Sequence, residues 1–118
     1  MAAAPAAKKR FAFDASRRLS RKLDFERLLH SGTRRSVGGY VFYYQRRAAG
    51  PPRLGLLVTR RHAAAAVERN RIKRCIREAF RLAQQDLGAI DVLVRPPLGA
   101  RASPAMQARL RELLGSLK

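Results

Sequence analysis

Apolar residues recur at three- and four-residue steps through Ile72, Ile76, Ala79, Phe80 and Ala83, which makes one stripe of a long helix over about residues 64–85. Gly88 closes that region. Leu110, Leu113, Leu114 and Leu117 repeat the pattern near the C-terminus, where Ser103-Pro104 supplies an N-cap followed by proline at the first helical position. A shorter helix is predicted from about Arg21 to His30, capped by Ser20 and followed by Gly32. Leu23, Leu28 and Leu29 can bury one side of it, with Phe25 directed partly elsewhere.

Between these helices the period changes to two. Tyr40 to Arg46 alternates Tyr40, Phe42 and Tyr44 on one face with Val41, Tyr43 and Gln45 on the other, as a strand does. Leu54 to Thr59 and Ile90 to Val94 read as further strands, the second stopped by Pro96-Pro97. Gly55 inside a strand marks close backbone approach. Thr33 to Gly39 is a basic, glycine-ended connection with room for a short edge strand. The predicted fold is therefore α+β: a small mixed sheet packed by helices, in the order helix, two strands and an optional third, helix, strand, helix. Residues 13–118 are predicted to form one domain, after a flexible basic arm over residues 1–12 that either fastens onto a polyanionic partner or stays solvated.

Charge sharpens this picture. The 118 residues carry 26 Lys and Arg against eight Asp and Glu, a formal net charge of +18. A fold so charged repels itself and points to a polyanionic partner, nucleic acid or an anionic membrane. No apolar run approaches the ~20 residues that span a bilayer, so no membrane is expected. The single cysteine, Cys75, has no internal partner for a disulfide, and a cytoplasmic protein is expected.

The charge concentrates on the long helix. At about 100° per residue, Arg69, Asn70, Lys73, Arg74, Arg77 and Arg81 share an arc beside the apolar stripe, and Arg71 lies outside it. Glu78 offsets only one of these cations locally. A solvated basic face is the plain alternative. Asn70 argues for recognition, because asparagine is a poor mid-helix residue and earns its position through a side-chain hydrogen bond. Hydrolytic chemistry has no comparable support. The eight carboxylates are scattered, Asp24 and Glu26 do not face each other, and His30 and His62 have no carboxylate neighbour in sequence. Phosphate-binding glycine loops and zinc spacings are absent. Cys75 reads as a small buried residue.

The run Arg69-Asn70-Arg71-Ile72-Lys73-Arg74, followed by Ile76-Arg77-Glu78 and Phe80-Arg81, resembles the RNR signature of the bacterial ribonuclease P protein family. Arg18-Leu19 before Asp24-Phe25, the Arg53-Leu54-Gly55-Leu56 strand, and Asp91-Val92 before Arg95-Pro96 fall in matching order. The resemblance covers roughly residues 17–97. It implies a left-handed strand–helix–strand crossover, opposite to the usual hand. It also implies a non-catalytic protein subunit of an endoribonuclease that removes the 5′ leader from precursor tRNA. The catalytic RNA subunit and the precursor tRNA would be its partners, with no obligate protein partner. Mg2+ would be held by the RNA and substrate, and no cofactor by the protein. Matching positions nominate Arg69, Asn70, Arg71, Lys73, Arg74 and Arg77 for the RNA, together with Arg60, Arg61 and His62 at the end of the second predicted strand. Phe25, Leu29 and Tyr43 match the cleft for the single-stranded leader. Two departures stand out. Ala63 to Ala66 replace the glycine and polar residues usual after the basic trio, and Leu29 is often aromatic in relatives. A general RNA-binding protein of similar build shares the charge and fold but lacks the motif series. A DNA-reading helix is disfavoured because half of this helix must pack on the sheet, and a protein-only nuclease lacks clustered carboxylates.

Overall fold

The computed structural model describes Arg18, Leu19 and residues 22–117. The basic arm over residues 1–12 and the Ser20 cap lie outside the described residues. The elements are α1 (Lys22–Ser31), β1 (Thr33–Val37), β2 (Tyr40–Arg46), β3 (Arg53–Leu56), α2 (Ala66–Leu87), β4 (Ile90–Arg95) and α3 (Pro104–Gly115). The strands form one sheet in the order β1-β2-β4-β3. β1 and β2 are antiparallel, as are β2 and β4, whereas β3 and β4 are parallel with α2 as their crossover. The sheet is mixed, as the sequence predicts.

Helices cover both faces of the sheet. On one side Tyr40, Phe42 and Tyr44 of β2 and Ile90, Val92 and Val94 of β4 meet Ile72, Ile76, Ala79, Phe80 and Ala83 of α2, with Leu110 and Leu114 of α3 completing the core. The α2 stripe and the three-aromatic row are buried where periodicity puts them. On the other side lies a smaller cluster of Leu19, Leu28 and Leu93, against which Phe25, Tyr43 and Leu57 pack. Leu93 points opposite to Val92 and Val94 because side chains alternate along a strand. β4 is thus buried on both faces.

Several boundaries differ from expectation. β1 is a complete strand, because Gly38 and Gly39 both take positive φ (58° and 87°) and turn the chain directly into β2. That is the type I′ pattern, which only glycine and a few polar residues adopt cheaply. β3 stops at Leu56 rather than Thr59. The Leu57 N–H still donates to the Val94 carbonyl at 2.9 Å, but a turn from Thr59 to His62 then takes the backbone out of the sheet. α2 starts at Ala66, two residues late. The Arg69 guanidinium occupies the Ala63 and Ala64 carbonyls at 3.0 and 2.7 Å and holds that lead-in extended. At its other end α2 continues to Leu87, whose carbonyl accepts from Arg46 at 2.9 Å. α3 begins as predicted, with Ser103 Oγ accepting from the Met106 N–H at 3.0 Å.

The orientation of α1 is the main correction. Leu23 and Leu29 do not join Leu28 in the core; they are 76% and 45% exposed. The face turned to the sheet is centred on Leu28 and flanked by Phe25 and Arg27, since Arg27 reaches Asp91 of β4. That rotation puts Leu23 on the outside.

Candidate nucleic-acid interface

With one side of α2 sunk in the core, its polar arc is directed outward. Asn70, Arg71 and Arg74 are exposed, while Arg69, Lys73 and Arg77 are half-buried. The charges are not equivalent. Arg71 donates to Glu68 at 3.0 Å, and Arg81 pairs with Glu78 about three turns further on. Arg69 spends its guanidinium on the loop before the helix. Lys73, Arg74 and Arg77 have no ion-pair partner among the described residues. Arg77 is the most strained electrostatically. Burial, then repulsion from Arg18 and Arg74, pushes its pKa below the usual arginine range. An anion placed there offsets the repulsion and favours the charged guanidinium.

Arg60 and Arg61 are exposed on the turn after β3, but His62 is buried. Its Nδ1 accepts from the Thr59 N–H at 2.9 Å and lies 3.2 Å from Thr59 Oγ1. Desolvation lowers its pKa, opposed by a hydrogen bond to the Pro96 backbone. The imidazole closes the turn that presents the two arginines. Of the basic trio, Arg60 and Arg61 are exposed and His62 is buried.

The apolar candidates come together less completely. Phe25 and Tyr43 pack on the same small cluster, around Leu28 and Leu93. Tyr43 is half-buried, flanked across the ladders by Arg34 of β1 and Leu93 of β4. It is therefore both a wall of that cluster and partly open. Leu29 belongs to neither core cluster. Gly55 makes room for the arrangement, because a Cβ there would lie 2.3 Å from Leu93 Cδ2 and 3.1 Å from Phe25 Cζ.

One groove brings Phe25 of the apolar set together with Lys73 and Arg77 of the basic set, and Tyr43 packs on the cluster behind Phe25 rather than lining it. Arg18, Leu19, Phe25, Leu54, Leu56, Val58, Lys73 and Arg77 line it, so that an aromatic from α1, aliphatics from β3 and cations from α2 share a surface. It runs along the β3 margin of the sheet, where the Leu19 N–H donates to the Leu54 carbonyl at 2.8 Å. Apolar floor beside cationic wall suits a single-stranded nucleic acid, whose bases and phosphates require those two environments.

Sequence reasoning missed one constellation. Asp91 is fully buried, and three arginines converge on it. Arg53 grips it through both oxygens, Nε to Oδ1 at 2.8 Å and Nη2 to Oδ2 at 2.8 Å. Arg27 donates to Oδ2 at 2.7 Å, and Arg47 Nε forms an ion pair at 2.9 Å without hydrogen-bond alignment. The available signal was a lone charge within the apolar run Ile90 to Val94, which has to be paired once buried. Among the described residues, no three His, Cys, Asp or Glu side chains are grouped to hold a metal ion. No described helix is long and apolar enough to cross a membrane. Burial raises the Cys75 thiol pKa, and Sγ donates to the Ser103 carbonyl at 3.5 Å, away from reactive thiolate chemistry.

Comparison with known proteins agrees with the motif series. The sequence model of the Ribonuclease P family matches residues 13–118. The ribonuclease P protein component of Nitrosococcus oceani is 38% identical over 96 residues, covering 81% of each chain. Among solved structures, the Staphylococcus aureus RNase P protein superposes with a TM-score of 0.68 at 27% identity, covering 81% of this chain and 86% of that one. The Thermotoga maritima RNase P protein reaches 0.73 over 86% of this chain and 97% of its own, a likeness of fold at 24% identity. The match to the family's sequence model embraces the RNR helix, the groove and the buried Asp91 alike, and this chain belongs to the ribonuclease P protein family.

Proposed function

We propose that the chain is the protein subunit of ribonuclease P, binding the catalytic RNA through α2 and the 5′ leader of precursor tRNA through the groove beside it. The observation that carries this reading is the groove, where Phe25, Leu54 and Leu56 share a surface with Arg18, Lys73 and Arg77. Asn70, Lys73, Arg74 and Arg77, with Arg60 and Arg61 on the adjoining turn, contact the RNA backbone. Arginine suits phosphate through its planar fork of donors, and lysine acts as a point charge. Phe25 and Tyr43 supply apolar contact for leader bases, and Leu29 extends it from the exposed flank of α1. The protein positions, and the RNA carries out the endonucleolytic step with Mg2+ held by RNA and substrate. This assignment leaves a cytoplasmic protein with two RNA partners and no catalytic side chain of its own.

Tyr43→Ala tests the leader contact. Holoenzyme affinity for precursor tRNA is expected to fall by the equivalent of ~1–3 kcal/mol, the usual worth of one base–aromatic contact. Mature tRNA binding and affinity for the catalytic RNA are expected to stay unchanged. A folded variant with an unaltered precursor-to-mature ratio contradicts the leader assignment. A lower melting temperature with every interaction weakened together would instead make Tyr43 only a wall of the small core.

A further inference from the structure

We infer that Asp91 is a positioning residue for substrate selection, holding the leader groove at its working width through Arg27; this rests on the leader reading above. The side chain occupies the middle of the central strand and is wholly buried, in a position where every neighbour in sequence from Ile90 to Val94 is apolar. Burying a carboxylate is expensive even when it is paired, and well-packed apolar residues are often as stable or more so. Stability alone therefore gives little reason for an acid here. What the acid supplies is geometry. Its partners come from three separate parts of the chain: Arg27 from α1, Arg47 from the segment after β2, and Arg53 from β3.

Two of those parts, α1 and β3, also build the groove. Arg27 lies two residues from Phe25 on α1, and Arg53 two residues from Gly55, the site that makes room for Phe25. In the ladders Asp91 sits opposite Gln45 and Arg53, and the next position on the same face is Leu93, opposite Tyr43 and Gly55. The network is therefore about 7 Å along β4 from the aromatic floor, at ~3.3 Å per residue. Apolar anchoring of α1 is limited to Leu28 and the half-buried Phe25. Leu28 is its only fully buried side chain among the described residues, and the helix has ten residues, too few to be stable alone. The Arg27–Asp91 bond at 2.7 Å is its polar anchor to the sheet, with Arg27 also 3.6 Å from Asp24. A hydrogen bond to Asp91 raises the Arg53 pKa and keeps that grip charged.

The experiment compares holoenzyme affinities for precursor and mature tRNA in Asp91→Asn, Arg27→Met, Arg27→Lys and, as a control on the groove itself, Phe25→Ala. Asp91→Asn separates geometry from charge. It removes a negative group from a cationic surface, so electrostatics alone predicts tighter precursor binding, whereas loss of positioning predicts weaker. Positioning predicts that the precursor-to-mature ratio falls about fivefold or more in Asp91→Asn and Arg27→Met, near the low end for a base–aromatic contact. Arg27→Lys recovers most of it, and affinity for the catalytic RNA is retained throughout. Should Asp91→Asn fail to fold, Arg27→Met decides, since Asp91 keeps Arg47 and Arg53 there. An unchanged or rising ratio in the folded variants, with Phe25→Ala still lowering it, overturns the positioning role alone. If Phe25→Ala also leaves the ratio untouched, the leader reading falls and this inference with it.

Discussion

At the scale of single residues, the same residue type does different work according to what surrounds it. Arg74 faces solvent without an ion-pair partner among the described residues, Arg69 closes onto two loop carbonyls, and Arg53 clasps a buried carboxylate. The sequence distinguishes only part of this. Helical spacing separates Arg74 from Ile76, but nothing local tells that Asp91 meets arginines 64 and 38 residues away. His62 was equally opaque, because its burial depends on a turn formed after β3 leaves the sheet. That burial gives a pH prediction. The folded-state pKa is lowered, so the unfolded chain binds the proton more tightly and stability rises with pH. The His62 contribution is fully present above the unfolded value of about 6.5 and is lost as pH falls through the folded value. Denaturant midpoints between pH 5 and 7.5 are expected to rise with pH in the wild type and to flatten in His62→Gln. Equal slopes in the two proteins would mean that the imidazole titrates as if exposed.

At the scale of elements, periodicity read well wherever one face is buried and the other is not. The stripe of α2, the aromatic row of β2 and the capped start of α3 all stand where the pattern puts them. α1 was legible as a helix but not in its rotation, which turns Arg27 toward Asp91, a partner 64 residues away, and leaves Leu23 outside. The β1–β2 hairpin was underread, although paired glycines between strands are a strong turn signal. The two faces of α2 predict opposite mutational behaviour. Ile76→Ala and Phe80→Ala leave cavities among fully buried neighbours and are expected to cost ~2–5 kcal/mol of folding stability. Arg74→Ala is expected to change stability by less than about 0.5 kcal/mol, as at most exposed sites, while weakening binding to the catalytic RNA. Chemical denaturation and RNA-binding titrations on the same variants check both. Similar losses from both faces would refute the division.

At the scale of the whole molecule, net charge narrowed the partner to a polyanion and the motif series named the family. The strand order and the groove along β3 came only with the structure, because they depend on which strands become neighbours. The parallel β3–β4 pairing agrees with the crossover that the resemblance implies. On the proposed function, a chain of +18 with few paired cations on α2 is expected to bind RNA largely by releasing counterions. With Arg60, Arg61, Lys73, Arg74 and Arg77 each neutralising a phosphate, the slope of log K against log salt is expected near −4.5, at ~0.9 per contact. Filter-binding or fluorescence titrations across a salt series measure it, and a slope near zero excludes the electrostatic account.

The central claim is that this protein assists a catalytic RNA and cleaves nothing itself. Reconstitution tests it most directly: precursor tRNA is incubated with the purified protein, with the cognate RNA subunit, and with both, across a range of Mg2+ concentrations. The account predicts no cleavage by protein alone at any Mg2+ concentration. It also predicts correct removal of the 5′ leader by the pair at Mg2+ concentrations where the RNA alone is inactive. Cleavage by the protein without RNA, or an unchanged Mg2+ requirement when it is added, would contradict the account.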